Sequence, residues 1–151
     1  MLTNLHLLHR TFSKYHSIQT KKKLYISLVR SKLIYSSQLW NPYLIKDIVM
    51  LERIQRRATK FILNDYSSNY KSHLFKLNIL SLMYLFDFYD ILFFIKHIKY
   101  PTNNFNIFDH ITFSHGSTRS SSHSKLHHKY STSNLLRNSY FCCLPKIWNS
   151  H

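Results

Sequence analysis

The chain has 151 residues, with 21 Lys and Arg against 6 Asp and Glu, and a formal net charge of +15 at neutral pH. One Gly and three Pro exclude collagen-like and flexible-linker classes, and a 44% hydrophobic, 16% aromatic composition argues against wholesale disorder. Two adjacent cysteines, Cys142 and Cys143, do not make a disulfide-stapled secreted framework, and six carboxylates leave little room for acid–base or two-metal chemistry.

Almost all regular structure reads as helix. Residues 1–6 lack the basic, apolar and small-residue regions of a signal peptide, and no lipidation motif is present. Residues 2–14 form a short apolar-periodic segment. Thr20 is placed to cap a helix over 21–39, with Leu24, Leu28, Val29 and Leu33 on one side. Trp40-Asn41-Pro42 breaks it, because proline disfavours helix in the residue before it. The next helix, over 44–63, is the cleanest amphipathic pattern in the chain. At about 100° per residue, Leu44, Ile48, Leu51, Ile54, Ala58, Phe61 and Ile62 share one face. Arg53, Arg56, Arg57 and Lys60 fall in a narrow arc on the other, and Asn64-Asp65 ends the helix.

Residues 67–77 read as a short helix. Ser81 is expected to cap a further one over 82–97, which is apolar nearly all round and therefore expected to be buried. Asp87 and Asp90 interrupt its apolar run, which is also short for a bilayer, so no membrane span is expected. Residues 100–106 form a loop around Pro101, and 114–133, rich in Ser, His and Lys, read as an exposed connection. Leu135, Leu136, Tyr140, Phe141, Leu144, Ile147 and Trp148 then mark a segment expected to dock back on the bundle. The expected fold is all-α: a small bundle of about four to five helices with a loop-rich C-terminal segment. It divides into a basic part over 1–64, an apolar part over 65–113 and a basic connection and tail over 114–151.

An AT-rich coding sequence enriches Lys, Asn, Ile, Tyr and Phe by itself, so the placement of charge says more than its total. Residues 1–63 carry 12 Lys/Arg and 2 acids, 64–113 carry 4 of each, and 114–151 carry 5 Lys/Arg and no acid. Basic ends around a neutral middle favour a polyanion, with nucleic acid the commonest and an anionic membrane surface the other. Arg53, Arg56, Arg57 and Lys60 lead the candidates, because long cations spaced by three and four residues can each reach a backbone phosphate. An ordinary solvated face would mix signs, and here only Glu52 lies near. Lys21, Lys22, Lys23, Arg30 and Lys32 extend the field, and the three consecutive lysines also match a nuclear-import patch.

Other chemistry is weaker. Asp87 and Asp90 share a helix face but lack the surroundings of an open Mg²⁺ site. His127, His128, Cys142 and Cys143 do not match zinc-ligand spacings, and no oxyanion loop or orienting acid accompanies a Cys–His pair. Gly116 is the only glycine, so there is no Gly-rich phosphate loop. The Tyr and Phe residues of the tail suit stacking on bases, and equally core packing.

The run from Leu24 to Tyr35 (LYISLVRSKLIY), Trp40-Asn41-Pro42 and the run from Leu51 to Ile62 (LERIQRRATKFI) resemble the region after the palm in reverse transcriptases of jockey- and CR1-like non-LTR retrotransposons. The runs LNILSLMY from Leu77 and DILFFIK from Asp90, Thr118-Arg119, and the closing RNSYF, Leu144-Pro145 and Trp148-Asn149-Ser150 continue the similarity in order. Position 81, often Pro in that family, is Ser here, and Cys142-Cys143 stands where a polar or basic pair is usual. The resemblance implies a thumb-like fragment of an RNA-directed DNA polymerase, with the fingers, the palm and its Tyr/Phe-x-Asp-Asp turn missing. It implies no activity and no cofactor of its own, since Mg²⁺ belongs to the parent palm. The implied partners are RNA or an RNA–DNA duplex and the parent's palm and fingers, in the nucleus or cytoplasm. The rival readings are a helical structural or interaction protein whose charge is codon bias alone, and a basic membrane-associated protein using residues 82–98.

Overall fold

A computed structural model of the chain describes Arg10 and residues 17–101, 105–114 and 125–150. Apart from Arg10, the segment expected over 2–14 lies outside the described residues. The fold is all-α with loop-rich stretches. An antiparallel β-bridge joins Phe113 and Leu126. The chain gathers into two compact units, one from the described residues of Met1–Ser37 and Asn41–Phe86, the other from those of Gln38–Trp40 and Asp87–His151. The units cut across the three charge-defined parts.

In the first unit, helix α1 (Ile18–Tyr25) is capped by Ser17, whose Oγ accepts the Thr20 N–H at 3.2 Å. The cap is thus three residues earlier than Thr20, whose hydroxyl instead pairs with that of Ser17. The helical path continues through a π-helical turn, Ile26–Arg30, into α2 (Ser31–Ile34). The i→i+5 pairing of the π turn slows the rotation of the buried face along the chain. Tyr25, Val29, Arg30 and Leu33 are therefore buried, whereas Leu28, expected inside, is 45% exposed. Ser36, in the left-handed region at φ 52°, precedes the short α3 (Ser37–Trp40).

Helix α4 (Ile45–Leu63) buries Ile54, Gln55, Ala58, Thr59 and Ile62. Asn64, at φ 52°, ends it and donates its N–H to the Lys60 carbonyl. Asn78 ends α5 (Tyr70–Leu77) in the same way. Asn tolerates this conformation better than other non-glycine residues, so it supplies C-caps in a chain with almost no glycine.

Helix α6 (Leu82–Lys99) is not the buried rod that its composition suggests. Leu82, Leu85, Phe86, Asp90 and Phe94 are buried, but Met83, Tyr84, Phe88, Leu92, Ile95 and Ile98 form an exposed apolar row. Among the described residues no single helix is long and apolar enough to cross a membrane.

The second unit has its own core of Phe94, Ile107, Ile111, Leu126 and Leu144, with Phe105, Phe113, Tyr140, Phe141 and Trp148 packed around it. Ile107 sits in a 3₁₀ turn, Ile107–Asp109, and the tail forms α7 (Asn134–Arg137) and α8 (Tyr140–Asn149). The described flanks of the stretch expected to be an exposed connection are paired. The Ser114 N–H donates to the Lys125 carbonyl and the His127 N–H to the Thr112 carbonyl. The Asn149 side-chain amide exchanges two 2.9 Å hydrogen bonds with the backbone of buried Leu126, standing in for a neighbouring strand.

One polar network ties the first unit together. The Tyr25 hydroxyl donates to Gln55 Oε1 at 3.0 Å, and Gln55 Nε2 donates to the Leu80 carbonyl at 2.8 Å and to the Tyr70 hydroxyl at 3.1 Å. Tyr70 in turn donates to Glu52 Oε1 at 3.0 Å, and Glu52 Oε2 accepts the Leu82 N–H at 3.1 Å. Gln55 is wholly buried. Each group left unpartnered there costs roughly 1–3 kcal/mol. We expect Gln55→Leu to lower unfolding stability by about 2–4 kcal/mol in denaturant titration. A loss below about 1 kcal/mol would show that the network is not what joins these helices.

Candidate functional site

Helix α4 is 19 residues long and carries the candidate face. Its buried residues centre roughly opposite the arc of Arg53, Arg56, Arg57 and Lys60, as a 3.6-residue period requires. Arg53, Arg56 and Arg57 are exposed and Lys60 is half-buried. The Arg56 guanidinium lies 5.0 Å from the centre of the Tyr70 ring, a cation–π contact that holds it at the surface. Among the described residues, none of these four cations is ion-paired with a carboxylate.

The nearby acids are engaged elsewhere. Glu52 sits at the edge of the buried face, and its carboxylate is turned to Tyr70 and to the first N–H of α6. There it satisfies a donor that a helix start leaves unpaired, at the positive end of the helix dipole. Asp65, just past α4, accepts hydrogen bonds from Ser67 and Ser68 and lies 3.7 Å from Lys76 Nζ and 3.5 Å from His73 Nε2. Hydrogen bonds from Ser68, then those from Ser67, hold its carboxyl far below the usual range.

The remaining candidates separate into two groups. Lys21 is 5% exposed, with Nζ 4.8 Å above the Phe61 ring, so it is a packing residue and not a free surface cation. Arg30 is 8% exposed and donates from Nη2 to the Leu80 carbonyl at 2.9 Å. Both corrections have one cause. The buried face of α1 and its π turn includes positions 21 and 30, and long cations reach interior partners from there. Lys22 is half-buried and Lys23 exposed. The pairs Lys21–Phe61 and Tyr25–Gln55 set α1 antiparallel to α4, which brings the lysine end of α1 beside the Lys60 end of α4. The exposed cationic surface is therefore Arg53, Arg56 and Arg57, extended by Lys60, Lys22 and Lys23.

Sequence reasoning missed Tyr70 and Gln55, which hold Glu52 and Arg56 in place. Gln55 carried a signal, since it lies between Ile54 and Ala58 on the buried side. Among the described residues no group of three His, Cys, Asp or Glu is placed to hold a metal ion. Comparison with protein-family models, with curated proteins and with solved structures finds no match for the chain.

Burial pushes the Tyr25 and Tyr70 hydroxyls above the ordinary phenol range, and the charge of Glu52 adds to this at both. The folded state thus keeps these protons where the unfolded chain, titrating near 10, releases them. The stability they confer is full below about pH 10 and falls as pH rises beyond it. In an alkaline titration, these two tyrosines should ionise only as far-UV helicity is lost. Ionisation of all tyrosines with helicity intact would contradict the burial.

Proposed function

We propose that the protein is a nucleic-acid-binding helical module, a thumb-like fragment of a non-LTR-type reverse transcriptase, that grips RNA or an RNA–DNA duplex through its phosphates. It carries no polymerase chemistry itself. The parent reaction, RNA-templated DNA synthesis, needs a palm and its Mg²⁺. The observation that carries the reading is the Arg53, Arg56 and Arg57 face of α4, exposed and unneutralised because Glu52 is turned inward. From Arg53 to Lys60 the helix rises about 10 Å, over which one duplex strand presents about three phosphates. Contacts of this kind are independent of sequence and sensitive to salt.

A second reading, a helical interaction protein, is favoured by the exposed apolar row Tyr84, Phe88, Leu92 and Ile95 on α6. Duplex binding followed by fluorescence anisotropy at rising salt separates the two. The phosphate reading expects log affinity to fall against log salt with a slope of about −3. Arg53→Gln with Arg57→Gln should reduce that slope by about 2, and reversing all four cations to Glu should abolish binding with helicity intact. Absence of binding at low salt, or binding unchanged by the reversal, would leave the interaction reading.

A further inference from the structure

The second unit holds a cavity of about 280 Å³. Its lining includes His110, Phe141, Tyr130, Lys129, Ser131 and Ser139, and among the described residues contains no carboxylate. The volume is at the small end for ligand sites and suits a single nucleoside rather than a longer ligand. The rings of His110 and Phe141 stack with centres 4.7 Å apart and planes inclined by 28°, and Phe105 completes a three-ring cluster, 5.9 Å from His110 and 6.5 Å from Phe141. Tyr130, also in the lining, is 89% exposed, with its ring against His128 at 4.8 Å. Among the described residues Lys129 is the only Lys or Arg in the lining; it is exposed and has no ion-pair partner among them. The Ser139 hydroxyl donates to the Leu136 carbonyl at 2.7 Å, which leaves its oxygen free to accept.

Planar rings, a cation and hydroxyls around one small cavity are the chemistry of an unpaired nucleotide. Aromatic faces stack on any base, and a lysine meets its phosphate. An anion without a flat group would leave the exposed rings of His110 and Tyr130 unused, and a purely apolar ligand would leave Lys129 unused. We propose that this cavity binds one unpaired nucleotide of a single strand, with its base stacked on the exposed rings of His110 and Tyr130 and its phosphate at Lys129. The proposal rests on the second unit alone and is independent of the α4 cation face.

The test uses the full chain and two labelled strands of four nucleotides, one of adenosines and one abasic with the same phosphates, at fixed salt. The adenosine strand should bind about tenfold more tightly or better, the scale of stacking one base on an aromatic side chain. His110→Leu and Tyr130→Leu, both at exposed positions, should each cut that ratio several-fold. Lys129→Gln should weaken both strands alike. Arg53→Glu with Arg57→Glu should leave the ratio unchanged, which separates failure here from failure of the duplex reading. Equal binding of the two strands, no binding of either, or a ratio that persists in the His110→Leu/Tyr130→Leu double variant would overturn the proposal. So would a ratio lost only with the α4 arginines.

Discussion

The buried amide of Gln55 is the constraint on which the first unit depends. It accepts from Tyr25 on α1 and donates to Tyr70 on α5 and to the Leu80 carbonyl before α6. Leu80 also accepts from Arg30, so the α1–π path is tied to the same carbonyl. A fully buried amide with three partners fixes which face of α4 points inward more sharply than aliphatic packing does, since rotating the helix would strand several polar groups at once.

That choice of face decides what the opposite side offers. Glu52 lies at the border and had two alternatives. Pairing with Arg56 one turn on would contribute only about 0.3–0.5 kcal/mol at a solvated helix surface. Accepting from Tyr70 and the Leu82 N–H in a partly buried setting contributes about 1.5–3 kcal/mol for each charged hydrogen bond. The inward arrangement wins by magnitude, and its by-product is a row of arginines with no carboxylate paired to them among the described residues. Asp65 is likewise committed, to Ser67, Ser68, His73 and Lys76. Leaving surface cations unpaired costs little stability, while it creates a positive field that a phosphate backbone can fill.

Much of this was legible in the sequence. The 3.6-residue period of α4 was strong enough to place both its apolar face and its arginine arc, and Asn64 marked its end. Lys21 and Arg30 were misplaced because a π turn is invisible to a fixed 100° wheel and because a lysine or arginine stem can lie inside while its head finds a ring or a carbonyl. Helix α6 looked buried because its apolar residues are evenly spread, a composition that cannot say which face lacks a partner. The Leu126–Asn149 pairing joins residues 23 apart through a side chain, and no local pattern announces it. The inward turn of Glu52 depended on Tyr70, which is distant in sequence and carries no periodic signal.

The most direct measurement of the central claim is the effect of Glu52→Gln on two quantities together, unfolding stability and duplex affinity at 150 mM salt. If the carboxylate is committed to Tyr70 and the α6 start, stability should fall by about 1–2 kcal/mol while affinity stays within about threefold, the charge being largely screened from the phosphates. Unchanged stability with a tenfold or greater gain in affinity would contradict the account, because it would show that Glu52 had been neutralising the arginines all along.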